Sequence, residues 1–95
     1  LIPLSPKQKV PELSRFYGIV IRIFYDDHFP PHFHVKYGEH KALIELDSLA
    51  LLRGDLPARA HGLVVEWAKI HKKQLKLQWE RAQAGEQVEK IPPLD

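Results

Sequence analysis

The chain has 95 residues, enough for one small core, since a domain of this size buries only about 60 to 65% of its unfolded surface. With 44% hydrophobic and 27% charged residues it has the composition of a globular domain, and no apolar run approaches the roughly 18 residues of a bilayer span. The absence of cysteine excludes disulfides, thiolate metal sites and thiol nucleophiles, while a net charge of +2 is too small to imply nucleic-acid binding from overall charge.

The first nine residues, Leu1 to Lys9, include Pro3, Pro6, Lys7 and Lys9 and show no structural period. They read as a flexible extension and lack the continuous apolar stretch of a secretory signal, so the cytoplasm is the default location. A single domain is expected over residues 10–95. From Phe16 to Tyr25 the chain reads FYGIVIRIFY, whose aromatic and β-branched residues predict a strand with Tyr17, Ile19, Ile21, Ile23 and Tyr25 facing the core. Asp26 to Pro31 must be irregular, because adjacent prolines remove donors and restrain their neighbours. A second strand is expected from His32, where Phe33, Val35 and Tyr37 alternate with polar residues. Gly38-Glu39 suits a type II′ hairpin, leading to a third strand over Lys41 to Leu46. Leu49 to Leu52 is a candidate fourth.

Asp55-Leu56-Pro57 reads as a helix start, with Asp55 as the cap and Pro57 in the first turn. The helix is expected to run from Ala58 to Ala84 and end at Gly85. At about 100° per residue, Ala60, Leu63, Val64, Trp67, His71, Leu75, Trp79 and Ala82 fall on one stripe, with Trp67 and Trp79 as core anchors. One helix of that length spans roughly 40 Å, long for so small a domain, so a bend near His71 to Lys73 is expected. The prolines after Lys90 predict an extended tail docked by Ile91 and Leu94. Together these elements predict an α+β fold: an antiparallel three- or four-stranded meander packed against one long, bent C-terminal helix.

Chemistry concentrates at His28, His32 and His34, three of six histidines within seven residues. His32 and His34 are two apart on a strand and share a face, and His28 lies on a loop able to fold back beside them. Three imidazoles are a ligand set for a divalent transition metal with an exchangeable position left over. Asp26 or Asp27 can complete the sphere or orient a ring. Without metal, the same residues with Asp27 offer an acid and a base for a hydrolase or ribonuclease. In the plainer reading, histidines beside a Pro-Pro loop hydrogen-bond its exposed backbone. On the helix, Lys69, Lys72, Lys73 and Lys76 form a basic ridge opposite the apolar stripe, a contact for RNA or an acidic partner, or simply a solvated face. His71 reads as a buried structural histidine. Tyr17 and Tyr25 can stack a base, although packing explains them equally well. Neither a nucleophilic serine context nor a glycine-rich phosphate loop is present.

The strings PELSRFYGIVI from Pro11, DDHFPPHFHV from Asp26, L-P-x-R-A from Leu56 and E-W-x-x-x-H from Glu66 resemble those of the bacterial family known as domain of unknown function 4160, over essentially Val10 to Leu94. Its members usually open with Met-Pro, so Val10-Pro11 resembles the family's start and the first nine residues an upstream extension. The resemblance implies no reaction and no catalytic residue. Members often carry acidic residues where this chain has the lysine ridge. In size and gene setting the family is similar to toxin-antitoxin pairs, which implies an interaction module with a small neighbour-encoded protein as partner. A metal-binding or hydrolytic His cluster is the alternative, and no membrane partner is expected.

Overall fold

A computed structural model describes residues 10–95, so the expected N-terminal extension lies outside the described residues. Among the described residues five strands form one antiparallel sheet in the order β1-β2-β3-β4-β5, one strand more than the longest meander expected. They are β1 (Glu12–Phe16), β2 (Ile19–Arg22), β3 (His32–Tyr37), β4 (His40–Glu45) and β5 (Leu51–Gly54).

The extra strand comes from a turn hidden within FYGIVIRIFY. Tyr17 and Gly18 both have positive φ, 50° and 79°, the signature of a type I′ turn, and Phe16 pairs with Ile19 across it. Tyr17 therefore leaves the core face assigned to it and stands 57% exposed. Ile19, Ile21 and Ile23 are fully buried, as the alternation required. Gly38, with φ of 57°, opens the turn between β3 and β4. The fourth expected strand is displaced to Leu51–Gly54, ending at a glycine with φ of 82°. A Cβ at Gly54 would lie 2.0 Å from the Lys41 carbonyl oxygen, so only glycine fits that approach.

The single long helix is in fact two, α1 (Ala58–Ile70) and α2 (Lys72–Gln83), separated at His71 where a bend was expected. His71 adopts φ of −109°, yet its N–H still donates to the Trp67 carbonyl at 3.1 Å and its own carbonyl accepts from Leu75 N–H at 2.9 Å. Hydrogen bonding thus crosses the break, so Val64, Trp67, Leu75, Trp79 and Ala82 remain buried on one side. Asp55 does not cap α1: Pro57 holds that position without a side-chain bond. His40 Nδ1 instead lies 2.9 Å from the Asp55 carboxylate.

The helices cover one face of the sheet, with Trp67 packed against Phe16 and Phe33 at centroid distances of 5.5 and 6.1 Å. The tail closes the core as expected. Ile91 is buried, its N–H donates to the Leu13 carbonyl at 2.7 Å, and Trp67 Nε1–H donates to the Pro92 carbonyl at 2.8 Å. No helix among the described residues is long and apolar enough to cross a membrane. Among the described residues no helix lies over the opposite face of the sheet.

Candidate metal centre and the face beside it

The loop between β2 and β3 determines the site. Its start is tied to the helical layer: Asp26 N–H donates to the Ala82 carbonyl at 3.4 Å and Gln83 Nε2 donates to the Asp27 carbonyl at 3.0 Å. Asp26 takes a left-handed φ of 54°, and the Asp27 side chain then meets the first residues of β3. There, period 2 brings His32 and His34 out on one side.

A single carboxylate oxygen, Asp27 Oδ2, lies 2.9 Å from His32 Nε2 and 2.9 Å from His34 Nε2. One ligand atom from each of these residues falls within 4.8 Å of the others. His32 is buried, while Asp27 and His34 are half-buried. His32 also lies beside Trp79, with ring centroids 5.3 Å apart, and His34 is stacked on Phe24 at 3.7 Å.

The tautomer of His32 follows from its neighbours. Nδ1 lies 2.7 Å from the Pro30 carbonyl, which can only accept, so Nδ1 carries a proton. In the neutral ring Nε2 is then a lone pair facing carboxylate oxygen. That contact is favourable only with a second proton on the ring or a cation shared between the two atoms. The expected hydrogen bonding of a histidine to the Pro-Pro loop thus occurs, and it also fixes the orientation a ligand requires.

Burial pushes the Asp27 carboxyl upward, but hydrogen bonds from His34 and the His28 N–H, with the charge of both rings, outweigh it and hold the group below its usual value. Burial lowers His34, against the opposing pull of Asp27. Burial thus favours the neutral His34 ring, the form in which an imidazole donates to a metal, whereas the Asp27 shift is produced by the rings acting as donors to the carboxylate.

Of the expected trio, His32 and His34 converge and His28 does not join them. His28 is exposed, and its backbone N–H donates to Asp27 Oδ1 at 2.9 Å. The carboxylate one residue earlier takes the place assigned to His28. His71 is half-buried against Trp67, with ring centroids 5.6 Å apart, and lies outside the cluster. The basic ridge is present as an exposed face of Lys69, Lys72, Lys73 and Lys76, with Lys72 turned to the Asp47 carbonyl.

A second feature was not anticipated. His34 also lines a depression of about 450 Å³ on the sheet face opposite the helices, together with Arg22, Phe24, Lys36, Lys41 and Arg53. Period 2 marks Arg22 and Lys36 as outward-facing, but alignment across four strands needs the register, which no local pattern supplies.

The family described as Domain of unknown function (DUF4160) matches residues 18–80. No curated protein and no solved structure matches the chain.

Proposed function

We infer the function from the site itself, because the chain belongs to the DUF4160 family, whose description names no activity. Asp27, His32 and His34 form a binding site for one divalent transition metal. The observation that carries this reading is the convergence of two Nε2 atoms and one carboxylate oxygen within 4.8 Å, while His32 Nδ1–H donates to a backbone carbonyl at 2.7 Å. Two imidazoles and a carboxylate are the ligand set of zinc and of non-haem iron sites with open positions. Asp27, His32 and His34 would hold the metal, and the chemistry it would supply there is Lewis-acid activation of water, so hydrolysis is the reaction class the cluster fits. The protein's own part is to hold the three donors: Pro30 orients His32, Phe24 lies against His34, and the His28 amide steadies Asp27.

The test is metal analysis of protein purified without an affinity tag, followed by calorimetric titration of the stripped protein with zinc. One metal per chain is expected, lost on Asp27→Ala, His32→Ala or His34→Ala and kept on His28→Ala. Absence of binding at neutral pH would defeat the reading.

The second reading is an interaction component of a toxin-antitoxin-like pair. Leu51 and Leu52, 42% and 43% exposed on edge strand β5, favour it, since such an edge accepts a partner strand. Co-purification with the neighbour-encoded protein, abolished by Leu52→Lys, is its expected result. Co-purification that survives the substitution removes β5 as the contact.

A further inference from the structure

The sheet face opposite the helices carries cations in aligned rows. Val20, Lys36 and Lys41 stand side by side across β2, β3 and β4. Arg22, His34, Leu43 and Arg53 do the same across β2 to β5. With strands about 4.8 Å apart, the second row spans roughly 14 Å.

Lys36 and Lys41 are direct cross-strand partners, an arrangement of like charges that destabilises a sheet. Among the described residues none of Arg22, Lys36, Lys41 and Arg53 is in an ion pair, and no acidic side chain lines the depression they frame. Of the carboxylates at its margin, Glu12 opposite Arg22 is bonded to Arg15 at 2.8 Å, and Asp27 lies 2.9 Å from His34. Phe24, 37% exposed, adds an aromatic ring among these cations.

We propose that this face binds single-stranded nucleic acid, with phosphates on Arg22, Lys36, Lys41 and Arg53 and a base against Phe24. Cations relieved of mutual repulsion by a polyanion, beside an aromatic ring, meet the chemistry of a strand whose base faces are free, which a duplex does not offer. His34 belongs to both the depression and the metal-ligand cluster, so the proposal names the substrate class of that centre. It rests on the metal reading for any chemistry done to the strand, and not for binding.

The experiment is fluorescence anisotropy with a labelled short oligouridine in EDTA, using the full chain. Each phosphate neutralised contributes about 0.7 to the slope against log salt, so four contacts predict roughly fifty-fold weaker binding between about 50 and about 200 mM salt. Arg22→Gln with Arg53→Gln should remove about 1.4 from that slope. Phe24→Ala should weaken binding about fivefold or more and leave the slope unchanged. Replacing Lys69, Lys72, Lys73 and Lys76 by Gln should alter neither.

No oligouridine binding at low salt, an unchanged slope in the double variant, or equal competition by a polyglutamate peptide would overturn the proposal. Oligouridine binding by a chain that takes up no metal supports the surface and defeats the metal centre. Metal uptake without oligouridine binding overturns the surface alone.

Discussion

Asp27→Asn changes one atom at the point where three parts of the chain meet. The carboxylate accepts from the His28 amide through Oδ1 and lies 2.9 Å from both imidazoles through Oδ2. Hydrogen bonds to a charged group contribute about 1.5 to 3 kcal/mol each. Without metal, the contact is favourable only where the rings donate to Oδ2; in that form the Asn amide oxygen can still accept from one ring, so one charge-assisted bond disappears and the other is weakened. His34 retains 24% side-chain exposure, and solvent screening reduces its share. A loss of about 2 to 3 kcal/mol follows from these terms. For a domain of this size that lowers the melting temperature by roughly 10 to 20 °C. The assay is thermal denaturation followed by circular dichroism, in EDTA to exclude stabilisation by metal. Asp26→Asn is the control: Asp26 is exposed and has a left-handed φ of 54° that Asn tolerates, so its effect should stay within about 0.5 kcal/mol. Equal melting of the two variants, or a shift for Asp27→Asn of less than about 3 °C, would refute the assigned role of the carboxylate.

Acidification should destabilise the native chain through both perturbed groups. His34 is lowered on folding, so the unfolded chain takes up its proton first and stability falls as pH drops below about 6.5 towards the lower native value. Asp27 is also lowered, so its contribution is complete above the usual carboxylate range and lost as pH falls through the native value. Denaturant midpoints measured in EDTA should decline more steeply for the wild type than for Asp27→Asn through the carboxylate range, where only the wild type titrates Asp27. Just below about 6.5 they should decline less steeply for the wild type, because the substitution removes the carboxylate that opposes the effect of burial on His34. Gly54→Ala should cost at least about 1 to 3 kcal/mol, because the added Cβ meets backbone 2.0 Å away and φ is 82°; a melting temperature equal to the wild type would mean the strand end shifts freely. Ending the chain at Lys90 removes buried Ile91 and the acceptor of Trp67 Nε1–H. The expected loss is about 2.5 to 4 kcal/mol, with a red shift of tryptophan emission.

The legible parts were those governed by local period or by residues with few conformational options. Alternation placed Ile19, Ile21 and Ile23 inward, and the helical stripe identified Trp67, Leu75 and Trp79 as buried. Length alone predicted the break that falls at His71. The first hairpin was obscured because Tyr17 fits an extended strand and nothing polar marks the turn before Gly18. Asp27 displaced His28 for a different reason. Spacing told that His32 and His34 share a face, but the loop's course depends on Gln83, distant in sequence by 56 residues. A bond at that range leaves no trace in the loop's own residues. The aligned cations of the face opposite the helices likewise depend on pairings between strands, which emerge only with the assembled sheet.

The attachment of the β2–β3 loop to the last turn of α2 has an outcome for assembly. Ala82 and Gln83 hold Asp26 and Asp27, whereas His32 and His34 travel with β3. The triad thus has one corner secured by the helical layer and two by the sheet. In a chain whose sheet has paired but whose second helix has not docked, the carboxylate lacks its anchor and the two rings face one another without it. The cluster is therefore a checkpoint: its three corners coincide only in the finished molecule, and any ligand that needs all three discriminates between completed and half-built copies of the protein.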